Sequence, residues 1–295
     1  MENGALDRAL RDAVRVRVTE GGVSDDRVLG DHVLLDLTDP AAVRHLRSAL
    51  AVEQITDGYC MCLGDLAFEF FDSDDRRAAV VGLHHGSSLR WRGWDGDAVL
   101  RDGDRVLRWL EEHSVPGPLE EQQKRQAERA EEQLALEQWK AAAPAAVRDL
   151  LELAVTASRT TGLLPPSTYS LVGQRLRQAV PDPVERAAAL LIWYGSGTGR
   201  CSGFPMHEGL PAPALAETPI AHLVEALRSL PVDPRMDAGA VRHLCGWKSR
   251  PHQARDIDRL PPELRERLLA AAQAGGDDDT RGRAQRWLGP PARRR

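Results

Sequence analysis

Cys60-Met61-Cys62-Leu63-Gly64-Asp65-Leu66-Ala67-Phe68-Glu69-Phe70-Phe71, followed by Asp72-Ser73-Asp74-Asp75 and then by Ala78-Ala79-Val80-Val81-Gly82-Leu83-His84-His85-Gly86, is the stretch that decides the fold. Two runs rich in apolar and β-forming residues flank a cluster of turn formers, which is the pattern of a β-hairpin. The first run is broken at Gly64-Asp65, and the second resumes from Ser87 to Trp91. A turn centred on Ser73-Asp74 puts Cys62 across from His85 and Cys60 across from Ser87. Side chains two apart on a strand share a face at about 7 Å, and directly opposed ones have Cβ atoms about 5 Å apart. The hairpin therefore predicts Cys60, Cys62 and His85 on one face, with His84 on the other.

Working outward, the first third of the chain alternates strand and helix signals. Val14 to Val18 has period two and ends at Gly21-Gly22, and His32 to Leu37 reads as a buried strand. Asp39-Pro40 supplies an N-cap and first-turn proline for a helix to about Ala51, and a short helix is expected from about Asp102 to His113. Residues 1–115 are thus expected to form a small antiparallel sheet domain with helices. After the breaker Val115-Pro116-Gly117-Pro118, residues 116–143 are rich in Glu, Gln, Arg and Ala, and read as a solvated bridging helix. Sustained apolar heptads, the mark of a coiled coil, are missing there.

Residues 144–274 read as successive helices with proline at their starts: Ala145 to Arg159, Ser167 to Ala179, Pro183 to Tyr194, Pro219 to Leu230, Asp237 to Trp247 and Pro262 to Ala274. Short joints suggest an all-α helical bundle or a short HEAT-like stack, without a fixed sequence repeat. Residues 275–295 are charge-segregated and locally basic, and are expected to be a mobile tail. The fold class expected is α+β.

Composition narrows the function classes. The net charge of −5 argues against a nucleic-acid partner needing many phosphate contacts. Lysine occurs only at Lys124, Lys140 and Lys248, so arginine dominates the basic residues, which with the abundant alanine and leucine suggests a GC-rich bacterial source. No apolar run reaches the length of a membrane span, and Met1-Glu2-Asn3-Gly4 does not open a secretory leader, so the expected location is the cytoplasm. Four cysteines are too few for a disulfide scaffold and are expected as thiols or metal ligands.

Chemistry concentrates on the hairpin. Cys60, Cys62 and His85 offer a metal set for zinc or iron, with a fourth ligand from Cys201, His243 or Cys245 across the domain junction. The C-x-C spacing departs from the C-x₂₋₄-C of structural zinc sites. Cys62 and His85 also offer a thiolate–imidazole pair, with Cys62 as nucleophile and Asp65 or Glu69 as orienter. A third reading makes both cysteines small buried hydrophobes. In Gly86-Ser87-Ser88-Leu89-Arg90-Trp91-Arg92-Gly93-Trp94, Arg90 and Trp91 suit a ligand rim, or else a strand whose tryptophans fill the core.

The loop Gly195-Ser196-Gly197-Thr198-Gly199-Arg200-Cys201-Ser202-Gly203 has alternating glycines of the kind that present backbone N–H groups to an anion. It lacks the ending of a phosphate-binding P-loop and a preceding strand. Gly197, Gly199 and Arg200 are its candidate ligand contacts, with Cys201, His207 and Glu208 nearby in sequence. His243 and Gly246 have sufficient reason to exist as the end of a helix.

Two function classes follow. The leading one is a bacterial binding or regulatory protein, engaged in protein–protein interaction or docking a small acidic ligand where the sheet and helical domains join. The alternative is a Cys/His-dependent enzyme using Cys62 and His85, with residues 195–203 stabilising an anion.

Overall fold

The computed structural model describes residues 4–24, 26–246 and 250–290, and of Arg250 only its backbone. The fold is α+β, with an antiparallel sheet and its helices followed by a helical region. The chain divides into two compact units, Met1–Arg129 and Ala130–Arg295.

The first unit opens with helix α1 (Ala5–Ala9). Strands β1 (Arg15–Glu20), β4 (Val33–Leu37), β5 (Val52–Ile55), β6 (Leu66–Phe71), β7 (Arg77–His84), β8 (Ser88–Arg90) and β9 (Ala98–Leu100) form a sheet in the order β4-β1-β6-β7-β8-β9-β5. Every pairing between neighbours is antiparallel. A two-stranded ribbon, β2 (Val23–Ser24) with β3 (Arg27–Val28), lies beside it. Helices α2 (Pro40–Ala49) and α3 (Gly103–Glu112) cover one face, and Asp39 and Asp102 cap them by accepting from Ala41 N and Arg105 N. Val43, Leu46, Phe68, Phe70, Val81, Leu83, Leu107 and Trp109 share that core. Strands β5 and β9 escape a sequence reading because β5 is a sheet edge whose Glu53 and Gln54 stay exposed.

The central hairpin exists, but its arms are shorter than expected. Strand β6 begins at Leu66, so Cys60 to Asp65 is a loop, and Leu66 pairs with Leu83 rather than with residue 81. The turn is responsible for the shift. Asp72 Oδ1 accepts from Asp74 N and Arg76 N, Asp75 takes a left-handed φ of 59°, and the register slips between Phe70 and Phe71.

Helix α4 (Gly117–Ala142) spans the division between the units. Pro116 starts it rather than breaking it, because its carbonyl accepts from Leu119 N and Glu120 N. Along α4 only Leu136 and Trp139 are buried, both in the core of the second unit.

That unit continues with a 3-10 helix (Ala145–Leu150) and helices α5 (Leu151–Thr161), α6 (Pro166–Ala179) and α7 (Pro183–Tyr194). Then come a 3-10 turn (Met206–Gly209), α8 (Ala212–Ala216), α9 (Ile220–Ser229), α10 (Pro234–Cys245), α11 (Arg250–Asp258), α12 (Pro262–Gly275) and α13 (Asp278–Leu288). Helices α7 and α10 cross with almost no side chain between them: a Cβ on Gly239 would overlap the Leu191 carbonyl, and one on Gly195 the Arg235 carbonyl. The buried Trp139 and Trp193 rings pack in that unit's core with centroids 5.4 Å apart and planes tilted by 33°.

Two expectations change here. The tail read as mobile contains α13, capped by Asp277 and anchored by the buried Thr280, Ala284 and Leu288. Its charges mark the solvent side of an amphipathic helix, and its few apolar residues fall on the other side. The helix expected to reach Trp247 ends at Cys245; Trp247 itself, like Arg293 to Arg295, lies outside the described residues. Among the described residues, no helix is long and apolar enough to cross a membrane.

Candidate metal centre

Four soft donors converge in the first unit. Cys62 Sγ lies 3.0 Å from His84 Nδ1 and 3.2 Å from His85 Nε2. Cys60 Sγ lies 3.3 Å from His85 Nε2 and 3.2 Å from Cys62 Sγ. The donor atoms of Cys60, Cys62 and His84 all fall within 4.8 Å of one another.

The local chain explains the convergence. Strand β7 ends at His84, and Ser87 N donates to the His84 carbonyl across His85 and Gly86, whose φ values are 54° and 69°. Two successive left-handed residues make a type I′ hairpin turn, which suits a glycine second and tolerates histidine first. In a continued strand His84 and His85 would point to opposite faces. His84 keeps its strand direction and meets Cys62, and the left-handed His85 turns its ring to the same loop, so both histidines join the site.

On the opposing side, the Cys60-Met61-Cys62 loop is fastened by Arg90 of β8. Its Nη2 donates to the Cys60 carbonyl at 2.6 Å and its Nη1 to the Cys62 carbonyl at 3.1 Å. Arg90 Nε and Nη2 also donate to the two Asp97 oxygens at 2.8 and 3.0 Å. Asp97 in turn accepts from Cys60 N at 2.6 Å. Tyr59 lies 5.2 Å beneath the guanidinium, and its hydroxyl donates to the Trp94 carbonyl. These bonds consume the loop's backbone groups, which is why β6 does not extend to Cys60.

Electrostatics divide the cluster into an inner and an outer half. Burial, then the neighbouring Arg90 cation, pushes the His84 pKa down, so the ring stays neutral and keeps a lone pair at one nitrogen. Its Nε2 is buried without a partner beside Gly64 and Gly82, which makes a charged ring costlier still. Burial pushes the Cys62 thiol up. The exposed Cys60 thiol is pulled down to about 7 by the Cys62 N–H and by His85. Burial raises Asp97, but its bonds from Arg90 and Cys60 N outweigh this and hold it below the usual carboxylate range.

This donor set fits zinc. Zinc takes sulfur at about 2.3 Å and imidazole nitrogen at about 2.0 Å in a tetrahedron, which spaces ligand atoms roughly 3.5 Å apart. The four sulfur–sulfur and sulfur–nitrogen contacts at 3.0–3.3 Å need to open by only about half an ångström to reach that spacing. His85 lies outside the set of Cys60, Cys62 and His84 whose donor atoms are all within 4.8 Å of one another, so its ring has to swing toward His84 to complete the tetrahedron. Two thiolates and two imidazoles around one centre suit zinc better than a hard cation.

The remaining candidates take other places. Arg90 is engaged with Asp97 and the cysteine carbonyls rather than standing at a rim. Trp91 packs edge-on to the buried Trp94 at 5.2 Å, while Arg92 reaches solvent and pairs with Asp26. Asp97, essential to the arrangement, carried no sequence signal beyond an acid preceding an apolar strand.

Gly197, Gly199 and Arg200 belong to the second unit, as do Cys201, His243 and Cys245, all three of them buried. The glycine-rich loop does hold an anion, and that anion is Glu208. Its carboxylate accepts from Thr198 N at 2.8 Å, Thr198 Oγ1 at 2.9 Å and Arg242 Nη1 at 2.8 Å. A Cβ on Gly197 would overlap that carboxylate. Glu208 and Arg242 are each 1% exposed, so the pair is a buried structural clasp. Gly199 takes a left-handed φ of 68°, and Arg200 is exposed.

Compared with protein families, with characterised proteins and with solved structures, the chain finds no match in any of the three.

Proposed function

We propose that this chain is a zinc-dependent binding or regulatory protein, whose first unit is organised by one zinc ion held by Cys60, Cys62, His84 and His85. The observation that carries the reading is the convergence of two sulfurs and two imidazole nitrogens at 3.0–3.3 Å contacts. The Arg90–Asp97 frame supports it, because outer-shell partners of this kind orient metal ligands. Zinc bound there supplies two positive charges against two thiolates and ties a loop to a hairpin turn. The target of such a protein is a protein partner or a small acidic ligand, and Arg200 is an exposed cation available to it.

Elemental mass spectrometry on untagged protein tests the metal directly. About one zinc per chain is expected. Cys62→Ser should lose that zinc, and a strong chelator should lower the unfolding temperature of the wild type. A metal-free chain that takes up no zinc on titration would sink the reading.

A second reading has its own observation. The Cys60 thiol, pulled to about 7 and touching His85, resembles the thiolate of a Cys/His-dependent enzyme. The nucleophile in that case is Cys60 rather than the part-buried Cys62. Without zinc, rapid iodoacetamide labelling confined to Cys60 would favour this reading over the first.

A further inference from the structure

We propose that Cys60 is an oxidation site for hydroperoxides, and that it closes a disulfide with Cys62 which discharges the bound zinc. The inference rests on the zinc reading and names how that centre is regulated.

The two sulfurs differ in access. Cys60 is exposed and Cys62 half-buried, whereas Cys201 and Cys245 are 2% and 0% exposed. Met61, between the paired cysteines, is fully exposed, so nothing on the outer side of the loop screens Cys60 from a small oxidant. The second requirement of a thiol oxidation site is a resolving thiol nearby. Cys62 Sγ stands 3.2 Å from Cys60 Sγ, about one ångström beyond a disulfide bond length. Arg90 holds both cysteine carbonyls, so this apposition is built into the protein frame and does not depend on the metal. The loop is bounded by Gly58 and Gly64, and Gly58 has open space around its Cα.

The chemistry closes without a further reagent. The Cys60 sulfur donates an electron pair to one peroxide oxygen, the O–O bond breaks, and hydroxide or alkoxide leaves. A sulfenic acid remains on Cys60. The Cys62 thiolate then attacks that sulfur, the S–O bond breaks, and hydroxide leaves to become water on protonation. Two thiolates have lost two electrons and the peroxide has gained them. Disulfide sulfur is a poor ligand compared with thiolate, so zinc keeps only His84 and His85 and departs. A dithiol reductant reverses the sequence by exchange.

The test treats the zinc-loaded full chain with excess hydrogen peroxide, reading free zinc with a metallochromic dye and mapping cysteines by peptide mass spectrometry. Zinc should appear in step with an intramolecular Cys60–Cys62 disulfide, two hydrogens lighter than the dithiol, while Cys201 and Cys245 stay reduced. Cys62→Ser should stop at a Cys60 sulfenic acid that a cyclic dione traps. Cys60→Ser should slow oxidation at Cys62 at least about tenfold. Zinc retained under excess peroxide, an intermolecular disulfide, or faster oxidation of Cys201 or Cys245 would overturn the proposal. Should the chain bind no zinc, the metal reading fails by itself. The same mapping on the metal-free chain then decides for or against the Cys60–Cys62 oxidation site.

Discussion

Arg90 spends its guanidinium on the chain's own backbone. Four of its five N–H donors are engaged by Asp97 and by the carbonyls of the two cysteine residues, so little of it is left for an external ligand rim. A planar fork is needed for that geometry, and lysine lacks it. Arg90→Gln should therefore weaken zinc binding by about 10–100-fold, the usual cost of losing an outer-shell partner. Cobalt substitution gives the readout: the tetrahedral thiolate spectrum should shift in the variant, and Arg90→Lys should not restore it. An unchanged cobalt spectrum with a lowered unfolding temperature would mean that Arg90 is only a structural brace. Arg90 and Trp91 were legible as a conspicuous pair in the sequence, but their division of labour was not. Whether an arginine faces outward or clamps a loop depends on Asp97, seven residues and one strand away.

Among the elements, the crossing of α7 and α10 is the contact least tolerant of change. Gly195 and Gly239 let the two backbones touch, so Gly239→Ala forces the helices apart. Overpacking of this kind costs about 1–3 kcal/mol or more. Gly282, on α13 with nothing near its Cα, is the control: Gly282→Ala should stabilise by about 0.5–1 kcal/mol through helix propensity. Denaturant melts of the two variants would measure the opposite signs, and equal effects would refute the close-crossing account. The glycine-rich loop belongs to the same scale. Its ability to hold an anion was readable from its glycines, but Glu208, ten residues beyond Thr198, takes that place only through the turn at Met206–Gly209.

For the whole molecule, buried histidines set the response to acid. Burial lowers the pKa of His84 in the first unit and of His207 in the second. Each native ring therefore binds fewer protons than its unfolded counterpart, and stability is lost as pH falls through about 6.5. The paired carboxylates act lower: Asp36 and Asp97 are held below the usual range, so their share is lost only as pH falls below about 4. Thermal melts of chelator-treated protein should thus show a falling midpoint already between about pH 7 and pH 5. His207→Phe should flatten part of that slope, and a slope unchanged by the variant would remove His207 from the account.

Local sequence alone determined the α+β class, the central hairpin, the long polar helix and most helix starts in the second unit. These follow from short-range causes: period-two apolar runs, Asp and Pro caps, and strong helix formers. It also marked Cys60, Cys62 and His85 as a group, because the hairpin returns the chain to the neighbourhood of the cysteines. The cysteines themselves lie in a loop ahead of β6 and not on the strand face that spacing assigned to them. Tertiary structure alone decided the rest. His84 meets the cysteine loop from the end of β7, and two left-handed residues, His85 and Gly86, turn the His85 ring to the same loop. Asp97 and Arg90 gained their role from strand pairing, and α13 was fastened by apolar contacts scattered thinly among charges. Such outcomes depend on which distant groups are available to satisfy a carbonyl, a carboxylate or a thiol once the chain has closed, and no local pattern encodes that choice.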